Sequence, residues 1–163
     1  MEGRTGISYS GMDFSLRGEK NRFVLPPQLR KTVKESSDGR ILCLDKHDRW
    51  PCLTGFGLSR KGDFAAQLDR EEALYGREFD RDLRATQLYG FAEVPFDDSG
   101  RFIMPEHLVD LGKVGDGLFF SAAGTFFTIW NKAELDKMGV GWEAAKAACA
   151  KLAADAQAKA AKK

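Results

Sequence analysis

The residue types that carry out most chemistry in proteins are few in this 163-residue chain, and their spacing argues against catalysis. His47 lies in a turn between Asp45 and Asp48, and His107 follows Glu106 at the start of a helical segment. No Ser/His/Asp spacing, nucleophile elbow, phosphate loop or HExxH helix accompanies them. Asp97 and Asp98 stand side by side like an acid–base pair. They also precede Gly100 in a hairpin-like loop, where Asp bonds its own backbone. Cys43, Cys52 and Cys149 are odd in number and lack metal-ligand spacing. Cys43 and Cys52 fall in apolar extended segments, the setting of a buried thiol. These residues predict no enzyme, no metal, no cofactor and no small-molecule substrate.

Basic residues carry more information. From Arg17 to Lys34 the chain has six Lys/Arg against a single acid, Glu19. Lys20 and Arg22 sit on a loop; Arg30 and Lys31 follow on a helix. Such an array neutralises phosphates, and Arg grips guanine O6 and N7 with a two-pronged hydrogen bond in the major groove. The competing reading of the same residues is a solvated face with ion-paired arginines. Total charge, +1, conceals a basic front: residues 1–60 carry a net +4, residues 61–110 a net −6, and residues 111–163 a net +3.

The elements that must position these residues are written twice. "KNRFVLPPQLRK" at Lys20–Lys31 returns as "SGRFIMPEHLVD" at Ser99–Asp110, with Arg, Phe, Pro and Leu in the same register. Each copy predicts a polar loop, a short strand (Phe23–Leu25; Phe102–Met104) and a helix opened by Pro26–Pro27 or Pro105, where a missing N–H costs little. Leu29 and Val33 give the first helix its apolar face; Leu108 and Leu111 give the second its own, with Gly112 as C-cap. An Asp–Gly turn follows each helix (Asp38–Gly39; Asp116–Gly117), then two extended segments. Phe23, Leu25, Leu29, Phe102, Met104 and Leu108 read as core. Asn21 stands where the second copy has Gly100, both types that tolerate positive φ.

The fold class is therefore α+β, with units at 9–58 and 90–135. Residues 59–89 predict one or two amphipathic linking helices, broken near Gly76, that lay their apolar stripe on the repeats. Residues 136–163 form the tail. From Glu143 onward 11 of 21 residues are Ala and 5 are Lys, with Leu152 the single large apolar anchor, so a frayed helix or a disordered basic tail is expected. "MEGRTGISYSGM" lacks an apolar signal core, and no run approaches the length of a membrane span, which fits a reducing cytoplasm without membrane association.

The doubled pattern D-x-x-x-R-x-x-x-P-x-x-[LF]-R resembles the MraZ family of bacterial transcriptional regulators. In the second copy it reads Asp97, Arg101, Pro105 and Leu108; in the first it reads Arg22, Pro26, Leu29 and Arg30. The likeness spans about Tyr9 to Leu135. Gly18 replaces the first motif Asp, Asn21 a usual Gly, and Val109 the second motif's final Arg. The resemblance implies two tandem AbrB-like β-α-β units of swapped-hairpin character, forming an intrachain pseudo-dimer. It further implies ring-shaped homo-oligomers that bind short G-rich direct repeats of double-stranded DNA upstream of the division and cell-wall gene cluster. Such a repressor would be cytoplasmic and nucleoid-associated. Arg17, Lys20, Arg22, Arg30, Lys31 and Arg101 are the expected DNA-binding residues, concentrated in the first copy. A protein-binding, antitoxin-type module of the same fold is the alternative.

Overall fold

A computed structural model describes residues 7–162; Met1–Gly6, the start of the stretch expected to lack a signal core, and Lys163, the last residue of the tail, lie outside the described residues. The chain is α+β. The first copy runs β1 (Met12–Leu16), β2 (Arg22–Val24), α1 (Pro27–Ser37), β3 (Ile41–Lys46) and β4 (Leu53–Phe56). Two linking helices, α2 (Phe64–Tyr75) and α3 (Arg81–Tyr89), lead to the second copy. That copy runs β5 (Ala92–Pro95), β6 (Arg101–Ile103), α4 (Glu106–Leu111), β7 (Gly117–Ala122) and β8 (Phe127–Trp130). The chain closes with α5 (Lys132–Leu135) and α6 (Glu143–Ala161).

Local chemistry sets these boundaries. Pro26 caps α1 and Pro27 opens it, while Asp38 ends it in the left-handed conformation (φ 53°). Gly76 (φ 67°) stops α2, as the sequence predicts, and the Asp80 carboxylate caps α3 by accepting from Leu83 N at 3.0 Å.

Strand pairing crosses between the copies. Six antiparallel strands lie in the order β1-β7-β8-β4-β3-β5, and β2 pairs with β6 in a separate ribbon. Thus β1 of the first copy joins β7 of the second, and β5 of the second joins β3 of the first. Phe23 faces Phe102, its own counterpart, and Thr54 faces Thr128, likewise its counterpart. The β2–β6 and β4–β8 registers are thus unchanged when the two copies are exchanged, and the β1–β7 pairs from Asp13 to Leu16 map onto the β5–β3 pairs from Ala92 to Pro95. A local two-fold axis passes through the Phe23–Phe102 and Thr54–Thr128 pairs.

Period-2 alternation then sorts the sheet into two buried faces. Leu42, Leu44, Leu53, Leu118, Phe120, Phe127 and Ile129 point to one side, joining Phe23, Leu25, Leu29, Val33, Phe102, Met104 and Leu108 in the main core. Each such side chain stabilises the fold by about 1.5–3 kcal/mol when removed from water. Gly55 is required in this layer: a Cβ there would lie 2.3 Å from the Phe127 ring. The opposite face is covered at one end by α2, whose Phe64 packs with Cys43 and Phe56. At the other end, Cys149 of α6 packs with Cys52, Phe119, Trp130 and Leu135. All three cysteines are buried and unpaired; burial pushes the Cys43 and Cys52 thiols up to about 12 and Cys149 to about 11.

Three expectations change. The tail is an ordered 19-residue helix, because Trp142, Ala145, Ala148 and Cys149 join Leu152 in one seam against β1 and β7. Small residues let that helix approach closely, so one large anchor is not the limit. Leu111 is 53% exposed, because the position matching Val33 is Gly112, where a Cβ would lie 2.6 Å from Leu53 Cγ. The linking stripe is only partly laid down: Phe64 and Leu68 are buried, whereas Leu83 is 56% exposed and α3 buries no residue. Among the described residues no helix is long and apolar enough to cross a membrane.

Candidate nucleic-acid interface

The ribbon of β2 and β6 presents one face to the core and the other outward. Phe23 and Phe102 point inward with their rings 6.2 Å apart. Arg22 and Val24 on one strand, with Arg101 and Ile103 on the other, point to solvent. In register, Arg22 lies opposite Ile103 and Val24 opposite Arg101, so the local two-fold relates the two arginines diagonally. The result is a narrow two-stranded ribbon carrying two guanidiniums and two exposed aliphatic side chains. A ribbon of this width fits a B-DNA major groove; Arg donates there to guanine, and aliphatic groups contact thymine methyls.

The loops leading into the ribbon break the symmetry. In the second copy, Asp97 Oδ1 accepts from Ser99 N at 3.0 Å and Arg101 N at 2.9 Å, while its Oδ2 holds Arg101 Nε at 2.7 Å. The amide and guanidinium of Arg101 hold the Asp97 carboxyl below the usual carboxylate range. Asp98 pairs with Arg40 of the first copy at 2.7 Å. The Asp97–Asp98 pair is therefore loop bracing, as backbone-bonding Asp residues predict, and each carboxylate is committed to a different partner.

In the first copy Gly18 replaces that Asp. The backbone closure persists, with Gly18 N donating to Arg22 O at 2.7 Å, matching Asp97 N to Arg101 O at 3.1 Å. The carboxylate brace does not. Arg22 has no side-chain partner among the described residues, nor does Lys20. Lys20 and Asn21 are both left-handed (φ 56° and 61°) in the loop where the second copy uses Gly100 (φ 86°). Arg17 stabilises this loop by donating to the Asn21 amide oxygen and, at 3.2 Å, to Gly115 O.

The six expected site residues thus divide. Arg17, Lys20 and Arg22 gather on the first loop and the ribbon strand it feeds, all exposed. Arg101 joins them from the opposite strand, held by Asp97. Lys31 is exposed on α1 with no side-chain partner among the described residues. Arg30 is half-buried and turned toward protein. Its Nε and Nη2 donate to Leu25 O at 3.2 and 3.0 Å, and its Nη1 to Asp98 O at 3.4 Å. Val24 and Ile103 are part of the outward face that charge counting overlooks. Strand alternation between Phe23 and Leu25, and between Phe102 and Met104, is the signal that places them outside.

The histidines do not form a reactive site. His47 is buried, stacks on Trp50 at 4.5 Å, and its Nδ1 accepts from the Arg49 and Trp50 amides at 3.1 Å each. Burial lowers its pKa, so the ring is neutral and its 3.4 Å approach to Asp48 is not an ion pair. His107 is exposed on α4. No group of three His, Cys, Asp or Glu side chains suited to a metal occurs among the described residues.

A doubled α+β frame with a basic, outward β-ribbon defines the class. Among proteins with known relatives, the chain is 30% identical over 113 residues to the transcriptional regulator MraZ of Caulobacter vibrioides, covering 69% of this chain and 70% of that one. It is 27% identical over 124 residues to the transcriptional regulator MraZ of Parvibaculum lavamentivorans, covering 76% and 75% respectively. Over 134 residues it is 25% identical to the same-named protein of Methylococcus capsulatus, covering 82% and 86%. No protein-family model matches the chain. The chain belongs to the MraZ family.

Proposed function

We propose that this protein is a sequence-specific, DNA-binding transcriptional repressor and not an enzyme. The observation that carries the reading is the outward face of the β2–β6 ribbon, with Arg22 free of any carboxylate and Lys20 beside it. The two-fold exchange of β1 and β5 between copies supports reading each copy as an AbrB-like unit in an intrachain pseudo-dimer. The ribbon enters the major groove of double-stranded DNA; Arg22 reads a guanine, Arg101 contributes from the opposite strand, and Lys20, Arg17 and Lys31 neutralise phosphates. Arg30, also expected at the DNA, acts here through the protein, as argued below.

As in the family resemblance, the operator is a set of short G-rich direct repeats upstream of the division and cell-wall gene cluster, bound by a ring-shaped homo-oligomer in the cytoplasm, at the nucleoid. A ring suits so small a reading head, because several engaged copies raise the effective concentration of the rest at repeated sites. Leu74, Tyr75 and Leu83, exposed on the linking helices, offer subunit contact area. The same residues favour the antitoxin-type alternative, in which that surface holds a different protein.

The test is a gel shift of the full chain against its own upstream DNA across a salt series, with light scattering for mass. A repressor ring loses affinity steeply with salt and scatters as a closed oligomer. A protein-holding module binds no DNA fragment above background, which would overturn the reading.

A further inference from the structure

The local two-fold allows each side chain to be compared with its counterpart inside one molecule. Backbone contacts between loop and opposite copy are conserved: Leu25 N donates to Gly100 O at 2.8 Å, and Met104 N to Asn21 O at 2.9 Å. Each loop is therefore tied to the strand end of the other copy. What sits over the tie differs. Arg30 lays its guanidinium against Gly100, so closely that a Cβ on Gly100 would lie 2.5 Å from Nε and 2.6 Å from Leu25 O. The counterpart of Arg30 is Val109, and the counterpart of Gly100 is Asn21. A second pin, Arg40 on Asp98, also has no counterpart: Phe96 N donates to Arg40 O as Arg17 N donates to Asp116 O, so its place is taken by an acid, Asp116.

Two matched sets follow. Gly accompanies Arg over the acidic loop, and Asn accompanies Val over the basic loop. The pairing has a steric logic. An arginine can lie over the loop only where the residue beneath lacks a Cβ, and Asn21 has one. The loop without the clamp is also the one holding two non-glycine residues, Lys20 and Asn21, at positive φ, a region that backbone sterics populate sparsely. Its remaining side-chain support, Arg17 to Asn21, is exposed and competes with water.

We infer that Arg30 is a positioning residue that clamps loop 97–100 of the second copy, and that the Asn21–Val109 pair leaves loop 18–21 of the first copy unclamped. The clamped loop keeps a fixed acidic profile at one end of the ribbon. The unclamped loop, with Lys20 at its tip, fits itself to a phosphate backbone on contact. The consequence for DNA rests on the function proposed above; the clamp itself does not.

Hydrogen exchange on the full chain separates the two. In Arg30→Lys, which keeps the charge but loses the planar fork, exchange at Gly100 and Arg101 rises by about tenfold or more while Asn21 and Arg22 are unchanged. Asn21→Gly with Val109→Arg builds a second clamp and slows exchange across 18–21, whereas Val109→Arg alone does not. Arg30→Lys also leaves the salt slope of DNA affinity unchanged; a phosphate contact replaced by Ala would lower it by about 1, so Arg30→Ala is measured beside it. The clamp is overturned if exchange at Gly100 is unaffected in Arg30→Lys, or if the double substitution gives no protection. If no variant and no parent binds DNA, the exchange results still decide the clamp, and the functional reading alone fails.

Discussion

The two copies share a frame and differ at its edge. Phe23 and Phe102 meet on the local two-fold, and the loops before them close with the same backbone hydrogen bond. Around that shared frame, Arg101 is held by Asp97 at 2.7 Å, while Arg22 faces Gly18 and is held by nothing charged among the described residues. The comparison teaches that packing and recognition separate within one repeat. Inward positions are constrained by the partner copy across the axis, so they stay alike. Outward positions meet only solvent or a ligand, so they are free to diverge, and here the divergence concentrates positive potential on one side.

The largest expected effect tests the shared frame. Phe23→Ala and Phe102→Ala each remove a buried ring and should each cost about 3–5 kcal/mol in denaturant unfolding. Because the two rings are counterparts in one pair, the two losses should be of similar size. A loss confined to one of them would mean that the frame is not shared in energy as it is in geometry.

Next comes the basic loop. Lys20→Ala should leave thermal stability unchanged and lower the slope of log affinity against log salt by about 1. The acidic counterpart, Asp98→Ala, should leave that slope unchanged or raise affinity slightly, since it removes repulsion from phosphates.

The smallest effect concerns pH. The folded Asp97 carboxyl lies below its ordinary value of about 3.9. Its ionised form, held by the Arg101 amide and guanidinium, is therefore favoured by folding. The contribution is full above the ordinary value and is lost as pH falls through the lower, folded one. Amide protection at Gly100 and Arg101, followed by NMR, should persist from neutrality down to about pH 4 and decline below it. Loop 18–21, without a carboxylate at Gly18, should show no such step, and Asp97→Asn should remove the step from the second loop.

Much of this architecture is legible in the sequence. Proline pairs and Asp–Gly turns punctuate backbone locally, so the strand–helix–turn order of both copies and the break at Gly76 follow from residue type. The exchange of β1 and β5 between copies does not, because β-pairing is a long-range choice that no local pattern encodes. Helix α6 is more firmly seated than its single large apolar residue predicts, because its anchoring rests on close approach by Ala145, Ala148 and Cys149, which counts of large apolar residues miss. At the site, the charge pattern groups Arg30 with Lys20 and Arg22. Only the position of Gly100 beneath its guanidinium separates a residue facing the protein from one facing solvent.

In the proposed function, the first copy's free arginine does more of the recognition than the tethered one. Arg22→Ala and Arg101→Ala, both checked for unchanged unfolding, are to be compared by gel shift against the chain's own upstream DNA. Loss of a guanine contact costs about 1–3 kcal/mol, roughly 5- to 150-fold in affinity. Arg22→Ala should show that loss, and Arg101→Ala a smaller one. Equal losses, or a larger one for Arg101→Ala, would contradict the account.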